Sequence, residues 1–233
     1  MALHEPHPHP GVLIVADGID GSGKSTQLDL LRSWLVQEGY EPYQAEWNAS
    51  KLIKSTMKLG RKERLFTPMS LCLLQCTDFA DQLERVILPP LQAGMIVLAD
   101  RYIYTAFTHD AVRGIDRRYL RNLYEFAPRP DLAFCFRMPV DTAVERVLLE
   151  RGKLRYYDAG MDLGYSREPA ENFRMFQARL LAAYEDVVQE FGLAPVNAEL
   201  PIEGQQRRMR TLVREVMARK GCLPGSNSGK TTV

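Results

Sequence analysis

Val12-Leu13-Ile14-Val15-Ala16 runs directly into Asp17-Gly18-Ile19-Asp20-Gly21-Ser22-Gly23-Lys24-Ser25-Thr26. The first five residues are apolar without alternation and are bounded by Gly11 and Asp17-Gly18. That pattern predicts a strand buried on both faces. Gly18 to Ser25 fits the spacing G-x-x-x-x-G-K-S/T. Glycines let the backbone wrap closely, so successive N–H groups point inward at phosphate oxygens. A helix is expected over Gln27 to Glu38, with Leu28, Leu31 and Leu35 on one stripe and Gly39 ending it. Its N-terminus adds partial positive charge. Lys24 would reach the β- and γ-phosphates, and the Ser25 hydroxyl would ligate Mg²⁺. Gly18, Asp20, Gly21, Ser22, Gly23 and Thr26 complete this candidate nucleotide-binding set.

Working outward, further strands are expected at 41–47, 95–99, 132–136 and 194–197. Helices are expected at 68–91, 140–150, 171–191 and 203–219, and a basic helix-and-turn segment at 50–64. Strands alternating with helices argue for α/β architecture. The expected fold is three-layered, of the P-loop NTPase type: a five-stranded parallel sheet, helices on both faces and a basic lid. Residues 11–219 form one P-loop domain in this reading. Residues 1–10 are a proline- and histidine-rich leader, expected to be disordered, and 220–233 a disordered tail. Within that tail, Gly225 to Thr231 imitates the phosphate loop. It has three residues between its glycines and no strand before it, so it reads as solvated tail.

The chain has 233 residues, with 30 basic and 29 acidic side chains. A formal charge of +1 excludes an overall polycation built to coat nucleic acid. No run approaches the length that spans a membrane. Cys72 and Cys76 have the spacing of half a zinc site, but neither a second pair nor a nearby histidine completes it. The four cysteines read as buried thiols, and a reducing, cytoplasmic setting fits them. His4, His7 and His9 read as part of the leader.

Asp100-Arg101-Tyr102 ends the 95–99 strand. Ligands of parallel sheets sit at the carboxyl ends of strands. Asp100 would therefore hold Mg²⁺ directly or through water, and Arg101 would bridge the donor and acceptor phosphates. Arg146, Arg151, Lys153 and Arg155 cluster where a helix passes into a glycine-bearing segment, 151–168. That is the composition of a lid that closes on the transferring group.

Together these pieces resemble the thymidylate kinase family. The resemblance rests on Asp17 to Gln27, on Asp100-Arg101-Tyr102, on Pro130-Asp131-Leu132 with Ala143, Glu145 and Arg146, and on Phe173 to Tyr184. It covers roughly residues 11–215. It implies ATP and Mg²⁺ as cofactors, a nucleoside monophosphate acceptor with dTMP the first candidate, and a homodimer. Asp20 would lie near the metal and the acceptor sugar. Asn197-Ala198 falls where the family has a pair near the adenine, so Ala198 and Arg146 join the nucleotide-binding set. Gly21 stands where one subclass carries arginine, so the catalytic cation would come from the lid, Arg155 first and Arg151 second.

The departures fall on base reading. Of the family's Arg-Glu-Pro-Gly-Gly-Thr segment, only Glu46 is kept. Gln75 and Phe79 replace the residues that stack on and read thymine. Thr105, His109 and Asp110 replace the family's Ser and Tyr-Gln. Gln75 and Asp78 would read a base edge or serve as polar helix positions. His109 would be a ligand contact or a helix-surface residue. Glu46 leaves open a deoxynucleoside kinase using it as general base. A third reading is a nucleotide-binding regulatory module without fast turnover.

Overall fold

The computed structural model describes residues 3–152 and 154–222 and, of Arg151, the backbone only. Strand β1 (Val12–Gly18) is the middle of a five-stranded sheet. The others are β2 (Tyr43–Glu46), β3 (Ile96–Asp100), β4 (Leu132–Arg137) and β5 (Ala194–Asn197), in the order β2–β3–β1–β4–β5. All pairings are parallel. β1 faces β3 in the register Val12–Ile96 to Ala16–Asp100, and β4 in the register Ile14–Leu132 to Gly18–Phe136. Every residue of β1 is buried, which is why its sequence shows no alternation.

Parallel strands need crossover helices. Helix α1 (Lys24–Gln37) packs with α9 (Ile202–Lys220) on one side of β1, and α5 (Ile103–Val112) with α8 (Pro169–Phe191) on the other. The remaining helices are α2 (Lys54–Lys62), α3 (Pro68–Gln82), α4 (Leu88–Gln92), α6 (Arg117–Leu123) and α7 (Val140–Arg151). Helix α1 starts at Lys24, earlier than the leucine stripe predicts, because Gly23 takes φ 80° and turns the loop straight into the helix.

Three expectations change. The helix expected over 68–91 is not one regular α-helix: a π-turn at Leu83–Ile87 separates α3 from α4. Pro89 and Pro90 lack N–H groups, and their rings crowd the preceding turn, so widening that turn accommodates them. Helices α5 and α6 are absent from the sequence reading. Most of α5 is buried, including both apolar and hydroxyl residues, so no single apolar stripe marks it. Finally, residues 3–10 are not a free leader. His7 is buried and its Nε2 lies 2.7 Å from Asp131 Oδ2, Leu3 is buried, and the His4 ring stacks on Phe191. Lys220 reaches both Asp131 and the His9 carbonyl, which ties the leader to the end of α9. The tail residues 223–233, with the loop-like Gly225–Thr231 sequence, lie outside the described residues. Of the cysteines, Cys72, Cys76 and Cys135 are buried and Cys222 is partly exposed, all as free thiols.

Asp131 therefore fastens the leader to the sheet. Burial opposes its ionisation, but hydrogen bonds from His7 and the Leu13 N–H outweigh that, so its pKa lies below the ordinary 3.8. A depressed carboxylate contributes stability above the ordinary value and loses it as pH falls through the folded one. Asp131→Asn should lower unfolding stability at pH 7 by about 1–3 kcal/mol. It should also shallow the acid limb below pH about 4. Urea unfolding across pH 2.5 to 7 checks both.

Candidate active site

The site begins with a carboxylate that carries no proposed chemistry. Asp17, fully buried near the end of β1, accepts from Thr105 Oγ1 at 2.7 Å, Tyr184 Oη at 2.6 Å, and the N–H groups of Tyr102 and Gly18 at 3.1 Å. Burial pushes its pKa up, while Arg101 and these donors work the other way. The bonds fix where β1 ends relative to α5, α8 and the exit of β3.

The phosphate loop follows. Gly21 and Gly23 take φ 74° and 80°. A Cβ at Gly21 would meet the Ala143 carbonyl at 2.5 Å, so α7 leaves no room there for a side chain. Ser22 lies beneath the loop and donates to the Ile19 carbonyl. Lys24 Nζ donates to the same carbonyl at 2.7 Å. Burial, then the Arg101 charge, lowers the Lys24 pKa to about 8. The Asp20 N–H is held by Gln177 on α8.

Arg101 leaves β3 with φ 69°, which is strained for a residue with a side chain. Its N–H is fixed to the Ala16 carbonyl. This turn aims the guanidinium back at the loop, where it pairs with Asp20. Burial works against the Arg101 charge, but Asp20, Tyr184, Asp17 and Asp100 together outweigh it and keep the pKa above its ordinary value. Ser25 Oγ donates to Asp100 Oδ2 at 2.5 Å. These are hard oxygen donors at the mouth of the loop. Among the described residues, no cluster of three or more His, Cys, Asp or Glu forms a metal cage. The donor set therefore fits Mg²⁺, which takes one or two protein oxygens and completes its shell with phosphates and water.

Two cavities adjoin here. One, of about 340 Å³, is lined by Gly21, Gly23, Lys24, Ser25, Thr26, Glu46 and Asp100. The other, of about 190 Å³, is lined by Arg61, Leu71, Gln75, Thr105, His109, Arg113, Tyr157 and Asp158. Asp20, Arg101, Trp47 and Asn48 line both. The wall of the second cavity includes a stripe at fixed spacing: Arg101, Thr105, His109, Arg113. Four-residue steps stay on one face of a helix.

The remaining sequence candidates divide. Gln75 and His109 reach the second cavity; His109 is partly buried, its ring edge-on to Phe176. Burial, then the charges of Arg101 and Arg113, holds its pKa well below the ordinary value. Asp78 accepts from the Ser50 N–H and so pins the chain after β2. Phe79 packs among Trp47, Tyr102 and Tyr124. Asp110 turns inward toward Cys72, and burial raises its pKa to about 7. Gly18 lies beneath the loop, against Phe136. Ala198 is buried, with its N–H on the Arg137 carbonyl. Arg146 is partly exposed and Arg155 exposed, and neither lines either of these two cavities. The Arg151 side chain and Lys153 lie outside the described residues. The sequence reading missed Asp17, Gln177, Tyr184, Trp47, Arg61, Arg113 and Tyr157 as parts of the site. One signal was available: Gln177 and Tyr184 are seven apart, two turns along the buried face of α8.

The thymidylate kinase family model matches residues 16–191. This chain belongs to the thymidylate kinase family. It is 34% identical to the probable thymidylate kinase 2 of Saccharolobus solfataricus, over 88% of this chain and 96% of that protein. It is 31% identical to the thymidylate kinase of Parasynechococcus marenigrum, over 91% and 99%. The probable thymidylate kinase of Pyrococcus horikoshii is 36% identical over 66% of this chain and 77% of the relative. As a member of the thymidylate kinase family, the chain is a nucleotide kinase. The nucleoside-kinase alternative built on Glu46 is not favoured. No described helix is long and apolar enough to cross a membrane.

The depressed Lys24 pKa has a measurable consequence. Above pH about 8 the ligand-free lysine is largely neutral. An anionic phosphate at the loop favours the charged form, so binding draws in a proton. Titration calorimetry of ATP at pH 8.5, in two buffers of different ionisation heat, should show uptake approaching one proton per chain. Equal heats in both buffers would count against this account of Lys24.

Proposed function

We propose that the protein transfers the γ-phosphoryl group of ATP to the phosphate of dTMP, with Mg²⁺ as cofactor. The observation that carries this reading is the meeting of the two cavities at Asp20 and Arg101. The larger cavity takes the ATP phosphates, on the loop amides, Lys24 and Ser25. The smaller takes the acceptor, with Gln75 and His109 at its far wall and Thr105 nearer the phosphates. Mg²⁺, held through Ser25 and Asp100, would neutralise charge on the β- and γ-phosphates. An acceptor phosphate oxygen forms the new bond to the γ-phosphorus as the bond to the β-phosphate oxygen breaks and ADP leaves. Arg101 holds the acceptor phosphate in line, and Asp20 orients Arg101. Such catalysis is positioning and charge stabilisation and needs no strong general base. Arg155, with Arg151 as second candidate, would enter on closure of the lid.

The test is ADP release with ATP, Mg²⁺ and a panel of monophosphates beside their parent nucleosides. Turnover with dTMP is the expected result. Turnover of nucleosides alone would reject the proposal. Lys24→Ala should lower kcat on the order of 10²–10³-fold while leaving the fold intact. Near-normal activity in that variant would remove the loop from the mechanism.

We also propose a homodimer, in a cytoplasmic setting. Met69 and Leu73 stand exposed one turn apart on α3, apolar surface of the kind a partner helix covers. Sedimentation at micromolar concentration should give twice the chain mass. Met69→Lys with Leu73→Lys should halve it.

A further inference from the structure

Arg113 is buried, and its guanidinium turns to Asp162, Tyr157 and His109 rather than to the phosphate loop. Its Nε donates to Asp162 Oδ2 at 2.8 Å and one terminal nitrogen to the Tyr157 carbonyl at 2.8 Å. The other terminal nitrogen reaches the His109 carbonyl at 3.3 Å, one turn back on α5. The guanidinium carbon lies 4.9 Å from the centre of the Phe176 ring. Arg113 thus joins α5 and α8 to both ends of the stretch 157–162, inside the segment that the sequence marks as a lid.

That stretch is fastened elsewhere as well. The Tyr157 ring packs with Ile53, Met57 and Leu71 in a small core separate from the main one. Its hydroxyl accepts from the Phe66 N–H at 3.0 Å. Asp158 pairs with Arg61 on α2 at 3.1 Å. Asn172 donates to the Ala159 carbonyl at 2.8 Å. Gly160, at φ 66°, lies so close to Phe176 that a Cβ would fall 2.6 Å from its ring. By contrast, Leu149, Glu150 and Arg155 are exposed.

We propose that Arg113 is a positioning residue that latches residues 157–162 in place as a fixed roof over the acceptor cavity. The geometry supports this roof because Tyr157 and Asp158 already line the smaller cavity beside Leu71, Gln75, His109 and Arg113. Arginine suits the task because its planar fork serves the Asp162 carboxylate and a carbonyl at once. Lysine offers one point of charge. The proposal rests on the acceptor reading of that cavity given above.

Arg113→Met keeps an unbranched apolar stem and removes the fork. Hydrogen–deuterium exchange on the ligand-free protein reads the latch without any substrate. The expected result is loss of amide protection across 156–163, with the β-strands unchanged. Steady-state kinetics should show the acceptor KM raised about tenfold or more, with the KM for ATP within about twofold. Asp162→Asn should act in the same direction, and the double variant should be no worse than Arg113→Met alone. Where Arg113→Met does not fold, Asp162→Asn carries the test. Unchanged protection in a folded variant overturns the latch. A raised acceptor KM in Arg113→Met with protection retained and Asp162→Asn neutral also overturns it, since Arg113 would then touch the acceptor directly. Lost protection with an unchanged acceptor KM overturns the roof and, with it, the acceptor reading of the cavity. If the wild-type protein phosphorylates no monophosphate, the functional reading fails while exchange still decides the latch.

Discussion

The geometry of the site depends on a carboxylate buried near the end of the central strand. Asp17 receives hydrogen bonds from the backbone of two chain segments and from side chains on two helices. Taking a hydrogen-bond partner from a buried polar group costs about 1–3 kcal/mol, so these contacts support one another. Their effect reaches the neighbouring turn. Arg101 persists at φ 69° because the Ala16 carbonyl fixes its own N–H and Asp17 fixes the next. A strained residue survives only where its surroundings over-determine it. Asp17 is thus the means by which an unfavourable backbone angle becomes a permanently aimed guanidinium.

The cations of the site already have partners before any nucleotide arrives. Lys24 donates to a loop carbonyl, Arg101 pairs with Asp20, and Arg61 pairs with Asp158. Phosphate binding is then an exchange of partners rather than the neutralisation of bare charge. The exchange is favourable where the incoming group carries more charge than a carbonyl or a single carboxylate. This favours phosphates over other anions, and it fits a pocket in which Lys24, Arg61, Arg101 and Arg113 stand among Asp20, Glu46, Asp100, Glu150 and Asp158. It also keeps the buried cations from carrying the full cost of desolvation in the ligand-free protein.

What was legible in the sequence was local. Strand, glycine turn, Lys24 and helix are contiguous, so one stretch of about fifteen residues specifies the loop, and Asp100-Arg101 reports itself by ending an apolar run. The rest depends on partners far apart in the chain. Asp17 and Tyr184 are separated by 167 positions, and Arg113 and Asp162 by 49. Helix α5 escaped notice because burial on nearly every side erases the apolar stripe that marks an amphipathic helix. The leader misled for a related reason. Prolines and histidines resemble a solvated segment until a buried aspartate elsewhere, Asp131, supplies the partner that orders them. Phe79 read as a base contact by its place in the family pattern. It is instead one ring of an aromatic cluster that supports Trp47 at the cavity wall.

Helix α5 gathers these constraints into one measure of length. Thr105, His109 and Arg113 follow Arg101 at four-residue steps on the face that lines the acceptor cavity. At about 1.5 Å per residue, Thr105 and Arg113 stand roughly 12 Å apart along the axis. At one end, Thr105 bonds Asp17 and so shares the anchor that aims Arg101. At the other, Arg113 holds Tyr157 and Asp162. Between them lies His109, whose pKa desolvation and the cations on either side hold well below its ordinary value. A rigid helix therefore sets the distance from the phosphate-gripping end of the cavity to its roof. Side chains from α3, α5 and the roof segment decide what fits within that distance. Under the proposed function, this separates phosphate chemistry, set by β1 and β3, from acceptor recognition in the smaller cavity, where positions 75 and 109 lie on helices and not on either strand.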